Sequence, residues 1–174
     1  MSDSKTSSSL KSYLSFQLGE EMFAADVSKV LEILELRPIT RVPRAPSYMR
    51  GVINLRGSVL PVLDTRIKFG LPQKEDTIDT CIVVLNVVME GEPLTLGALV
   101  DSVEEVLELT DADIEAPPTI GSKFNPEYLH GMVKMDENFI MVLNVDKVFS
   151  ADELVTVADS ATKSQIEVSG ENVN

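Results

Sequence analysis

Apolar and polar residues alternate along Tyr13–Leu18 and again along Met22–Ala25, with Gly19-Glu20-Glu21 between them, which predicts a β-hairpin. Asp26 can cap a short helical turn over Val27–Val30. Leu31–Leu36 alternates once more with Glu32 on one face. Arg37-Pro38 ends that strand, because the residue before proline is driven to extended geometry. Pro43 and Pro46 frame a loop into the stretch Tyr48–Phe69. There, Met49–Leu55 and Val59–Leu63 read as strands around Arg56-Gly57-Ser58, a turn in which Gly57 can take a positive φ. Asp64 can cap a helical turn through Phe69. Pro61 lacks a backbone donor, which predicts an edge strand or a bulge.

After a polar linker, Gly70–Asp79, the run Thr80–Met89 is almost continuously apolar, as expected of a strand covered on both faces. Glu90-Gly91-Glu92-Pro93 turns the chain into Leu94–Val100, and Val103–Leu109 follows. Thr110–Asn125 is a long loop holding Pro117-Pro118. Asn144–Phe149 reads as helical, and Ser150 with Glu153 forms a capping box for a helix over Asp152–Val157. Residues 1–12 and 158–174 are polar and read as flexible tails.

The pattern occurs twice. Tyr128–Phe149 repeats Tyr48–Phe69 eighty residues later, carrying Pro46 to Pro126, Tyr48 to Tyr128, Gly51 to Gly131, Val62 to Val142 and Phe69 to Phe149. The segment before it repeats at an offset of 73, with Val30, Glu32, Ile33 and Glu35 matching Val103, Glu105, Val106 and Glu108. Shared apolar positions alone arise by chance in amphipathic hairpins, but shared proline, tyrosine and glycine in one register indicate a duplicated unit. The expected fold is all-β: two small barrels, about 13–79 and 80–149, with short helices and an exchange of strands between them left open.

The charge of −13 and a pI near 4.4 oppose sequence-independent binding of nucleic acid, and equally an anionic membrane surface. Protein partners fit better. The N-terminus does not read as a signal peptide, and the longest apolar run is about half of the roughly 20 residues a membrane span needs. A cytoplasmic protein is expected. Cys81 is the single cysteine and is expected to be buried; His130 is the single histidine and reads as a surface residue. Zinc therefore lacks a ligand set, and no cofactor is expected. Asp111-Ala112-Asp113 opens like a calcium loop but has Ala116 and Ser122 where glycine and glutamate belong. The carboxylates are scattered and read as a solvated acidic face. Without a nucleophile–base pair, a metal site or a phosphate loop, an enzyme has nothing to act with.

One asymmetry between the repeats points to function. The first has Glu32 and Arg56; the second has Glu105 but Asp136 in place of the arginine. A buried structural role would need an acceptable partner in both. Val27, Val30, Ile33, Val52 and Leu55 lie around the Arg56 turn and predict an apolar groove with a charged rim, suited to a partner helix.

The segments YLSFQLGEEMFAADVSKVLEI and VPRAPSYMRGVINLRGSVLPVLDTRIKFG resemble the CheW family of bacterial chemotaxis coupling proteins, the NLRG turn at Asn54–Gly57 and the VxEI at Val30–Ile33 being the specific marks. The resemblance runs from about Tyr13 to about Leu154. It implies two intertwined SH3-like five-stranded barrels with a hydrophobic core between them, within a domain spanning 13–157. It also implies a non-enzymatic adaptor, recruited to membrane receptor arrays, that binds the cytoplasmic tip of chemoreceptors and the regulatory domain of the histidine kinase CheA. By the same resemblance, Val30, Glu32, Gly51, Arg56, Gly97 and Val106 belong to receptor binding, and Ile120 to kinase binding; Val27 and Ile33, from the predicted groove, and Asn54, from the NLRG turn, join the expected receptor-binding set. An adaptor of a pilus or other chemosensory pathway, and a nucleic-acid-binding pair of barrels, are the alternatives; the acidic balance opposes the second.

Overall fold

Each predicted alternation becomes a strand. The computed structural model describes residues 9–72, 74–116 and 126–149. The strands are β1 (Lys11–Leu18), β2 (Glu21–Asp26), β3 (Val30–Glu35), β4 (Met49–Leu55) and β5 (Ser58–Asp64), then β6 (Cys81–Met89), β7 (Glu92–Val100), β8 (Ser102–Leu109), β9 (Leu129–Met135) and β10 (Asn138–Leu143). Short helices α1 (Thr65–Lys68) and α2 (Val145–Val148) follow β5 and β10. Asp64 caps α1 through the backbone N–H groups of Arg66 and Ile67, and Asn144 caps α2 through that of Lys147. Asp26 accepts from Ser28 N at the head of a 3-10 turn, Val27–Lys29. Residues 1–8 and 158–174 of the expected tails, the helix predicted over Asp152–Val157 and Ile120 lie outside the described residues, whereas Lys11 and Ser12, expected in the N-terminal tail, already belong to β1 and pair with Leu109 and Glu108 of β8.

The strands form two five-stranded sheets, β8-β1-β2-β10-β9 and β3-β6-β7-β5-β4. In the repeat, β6–β10 are the counterparts of β1–β5. Each sheet therefore takes a hairpin from one repeat and three strands from the other. In both, a parallel pair joins the two contributions: β2 to β10, with Ala24 opposite Val142, and β7 to β5, with Gly97 opposite Val62. The remaining ladders are antiparallel.

Both sheets curl closed by one device. The chain leaving β3 bends until Thr40 exchanges both backbone hydrogen bonds with Val52 of β4 (2.9 and 2.8 Å). The chain leaving β8 does the same, Glu115 bonding Met132 of β9 (2.8 Å each way). Close approach at these two bridges explains the repeated glycine. A Cβ on Gly51 would lie 2.2 Å from the Thr40 carbonyl oxygen, and one on Gly131 would lie 2.6 Å from that of Glu115. The two glycines occupy equivalent places.

Three cores result. Tyr13, Ala24, Leu107, Val133 and Val142 fill the first barrel, and Leu34, Ile53, Leu60, Val84 and Leu99 fill the second. The largest lies between them, around Phe16, Phe23, Leu63, Val83, Leu85, Phe69 and Phe149, with Phe23 stacked on Phe69 at 5.1 Å. Strand β6 explains its unbroken apolar run: Val83, Leu85 and Val87 face the shared core while Ile82 and Val84 face the second barrel.

Three expectations need correction. Pro61 is not on an edge, for β5 lies between β7 and β4. It is tolerated because Val52, its partner, spends its backbone groups on Thr40, so Pro61 faces the β7 side, where pairing begins only at Val62. The irregularity in that ladder falls on β4, between Met49 and Gly51. Cys81 is half-buried, not enclosed, and burial raises its thiol pKa above the ordinary value. The acidic residues are not all solvated. Asp64 and Asp101 are buried beside the fully buried Arg66, which donates to Asp64 through Nε (3.2 Å) and to Asp101 through a terminal nitrogen (3.0 Å). Asp101 also accepts from Gly19 N in the β1–β2 turn (2.6 Å), so the network ties one barrel to the other.

Candidate functional site

The β4–β5 turn is set by its own residues. Arg56 (φ 52°) and Gly57 (φ 86°) both adopt left-handed backbone, the geometry of the two-residue hairpin turn that matches strand twist. Asn54 accepts from Gly57 N at 2.7 Å and fixes the turn from within. This aims Arg56 across the seam of the second barrel, from the hairpin that carries the edge strand β4 to the opposite edge strand β3. There its two terminal nitrogens donate to the two carboxylate oxygens of Glu32, at 2.6 and 2.8 Å. Arg56 stays 71% exposed while Glu32 is 28% exposed, so the pair presents its cation outward. The Arg56 hydrogen bond holds the Glu32 carboxyl below the usual carboxylate range, with a longer-range pull from Arg37, and Glu32 in turn raises Arg56.

The predicted apolar groove does not form as one surface. Val27, Val30 and Val52 are half-buried against the core between the barrels, whereas Leu55 packs on the interior of the second barrel. Ile33 is exposed and lines a separate shallow cavity of about 270 Å³ with Ile78, Cys81 and Val103. Leu31, which the alternation alone did not mark, is also exposed beside Glu32. It lies where the β3–β6 register shifts between Val30 and Glu32, and a one-residue shift turns a side chain outward. Gly51 and Gly97 are buried in the barrel wall; a Cβ on Gly97 would sit 2.7 Å from Ile82 Cγ2. Val106 is exposed on β8, in the other sheet, opposite Leu14. Thus Glu32, Asn54 and Arg56 come together, Val27 and Val30 flank the inter-barrel seam, and Val106 stands apart.

In the first barrel the corresponding turn has Asp136 at φ 55°, left-handed like Arg56 but without the cation, while Glu137, unlike Gly57, does not take a positive φ. Glu105, the counterpart of Glu32, is engaged through its backbone, its N–H and carbonyl both bonding the Ser15 hydroxyl (3.0 and 2.8 Å). The exposed Glu–Arg pair is therefore particular to the β4–β5 turn. His130, the only imidazole, is exposed and borders a small cleft with Lys11, Tyr13 and Lys29. Among the described residues no group of three or more His, Cys, Asp or Glu is placed to hold a metal ion. No helix among them is long and apolar enough to cross a membrane.

The family of CheW-like domains matches residues 12–153, which takes in both barrels and the Glu32–Arg56 turn. The chain belongs to the CheW-like family. It is 31% identical over 148 residues to the chemotaxis protein CheW of Treponema pallidum, covering 84% of this chain and 86% of that one. It is 34% identical over 152 residues to CheW of Klebsiella aerogenes, covering 87% and 89%. Among solved structures it is similar to the scaffolding protein TtCheW from Thermoanaerobacter tengcongensis, with a TM-score of 0.72 and 28% identity over 86% of this chain and 94% of the other. This CheW-like protein is thus a chemotaxis scaffold and not an enzyme, and the resemblance read from the NLRG and VxEI motifs was the right one. Its two curled five-stranded sheets are the expected pair of SH3-like barrels.

Proposed function

We propose that this CheW-like protein couples chemoreceptors to the histidine kinase CheA in the cytoplasm, at membrane receptor arrays. The observation that carries the reading is the Glu32–Arg56 pair. It is bidentate, outward-facing, seated on a turn fixed by Asn54, and absent from the duplicate turn. A charged fork with exposed Leu31 beside Glu32 can orient an amphipathic receptor helix, and half-buried Val27 and Val30 flank the inter-barrel seam. Gly51 and Gly97 serve that surface indirectly, by letting the barrel close beneath it. Ile33 and Val106 extend contact beyond the pair, and Ile120 belongs to the kinase side. Signalling then needs only that receptor conformations differ in affinity for this face. Co-sedimentation of receptor fragments and kinase with Arg56→Ala is the test. The thermal midpoint should stay unchanged and receptor-dependent kinase activation should fall sharply. Arg56→Lys should rescue in part, since an ammonium lacks the fork. Asp136→Ala should leave both readouts intact; equal loss in Arg56→Ala and Asp136→Ala would remove the basis of the assignment.

A further inference from the structure

The chain carries 28 acidic side chains against 15 lysines and arginines, yet three guanidinium groups line one cavity. This open hollow of about 420 Å³ lies where the chain leaves β3 and bends onto β4, and Arg37, Arg41 and Arg50 share its wall with Leu36, Pro38 and Ile39. Asp76 is the single acidic residue in the lining, and it is already paired with Arg50. Arg50 also stands 3.8 Å from Asp64. Arg37 and Arg41 make no ion pair or side-chain hydrogen bond among the described residues; Arg37 acts on Glu32 only at longer range. Two unneutralised forks therefore border one open hollow with an apolar wall.

We propose that this cavity binds a free phosphate-type anion carrying at least two charges. A phosphate group gathers its acceptor oxygens around one atom, so both free forks can engage it at once, whereas a dicarboxylate must hold two separate pairs of oxygens in place across a flexible chain. Arg37 and Arg41 supply the binding; Arg50, held by Asp76, closes the cationic side, and Asp76 limits how deep the anion sits. Pyrophosphate carries more charge and more acceptor oxygens than orthophosphate, so it should engage the two forks more fully. The proposal does not depend on receptor coupling, and its test involves neither receptor nor kinase.

Calorimetric titration of the full chain at ionic strength held constant with chloride decides it, with orthophosphate, pyrophosphate and succinate as probes. One saturable site is expected, tighter for pyrophosphate than for orthophosphate and about tenfold weaker for succinate. Arg37→Gln/Arg41→Gln should weaken pyrophosphate about tenfold or more. Both residues are exposed, so this variant should keep its thermal midpoint in chloride. Lys134→Gln, on β9 of the other sheet, should bind as the parent does. No saturable site, undiminished binding in the double variant, or succinate matching pyrophosphate would each overturn the proposal.

Discussion

Replacing Arg66 by methionine keeps a long apolar stem and removes the guanidinium from a fully buried position. Four hydrogen bonds go with it: two to Asp64 (3.2 and 3.3 Å), one to Asp101 (3.0 Å) and one to the Lys74 carbonyl (2.9 Å). Adding them at roughly 1.5–3 kcal/mol each for charged partners would give far too much, because their terms overlap. The better measure is the cost of orphaning a buried partner, about 3–5 kcal/mol. Two residual cations pull the figure toward the lower end: Arg50 lies 3.8 Å from Asp64 and Lys74 Nζ lies 3.7 Å from Asp101. About 3 kcal/mol is a large share of the roughly 5–15 kcal/mol that holds a domain folded. Urea unfolding followed by circular dichroism measures it, since the chain has no tryptophan to report. Adding Asp101→Asn should restore about half of the loss, because the amide oxygen can still accept from Gly19 while the unpaired charge is gone. A loss under about 1 kcal/mol, or a double variant weaker than Arg66→Met alone, would show that the network is not what secures this junction.

Other outcomes follow from the same geometry. Gly51→Ala and Gly131→Ala should each destabilise by about 1–3 kcal/mol through overpacking, with Gly51→Ala the worse because its φ of 149° adds backbone strain; equal, negligible shifts in thermal midpoint would contradict the bridging role of Thr40 and Glu115. The native Cys81 thiol should label slowly at neutral pH and faster as pH rises past its elevated pKa, and rapid labelling at neutral pH would show that burial is not holding it protonated. Glu32 has a folded pKa below its unfolded one, so whatever its charge contributes is fully present above the unfolded value and lost only as pH falls through the folded value. Receptor capture should accordingly be flat between pH 6 and 8, and a change in that range would implicate another group.

Strand positions were readable from alternation because the two-residue period is a local property, and the glycines and tyrosines fixed the repeat register. Which hairpin joins which set of strands was not readable. The two hairpins present similar apolar faces, and pairing is decided by contacts between residues far apart, such as Val62 with Gly97. Arg56 was legible as an asymmetry between copies. Arg66 was not: it follows a capping aspartate in a charged helical turn, and only the docking of α1 beneath β7 and the β1–β2 turn encloses it. The groove was over-read for a related reason. Sequence proximity to a turn does not say which of Val27, Ile33 and Leu55 point to the same core, and the register shift at Leu31 redistributes them.

The crossing of hairpins between repeats makes the chain equivalent to a homodimer whose two subunits were tied end to end. Neither half owns a closed barrel, so there is no stable fragment to fall back on when one half loosens, and unfolding should proceed as one event. Residues 70–79 then act as a tether that keeps the two halves at high local concentration, not as a boundary between domains. The same economy carries a hazard. A hairpin that leaves its barrel finds an identical vacancy on any neighbouring molecule, so crowding within a dense assembly would favour chains linked through traded β1–β2 or β6–β7 hairpins.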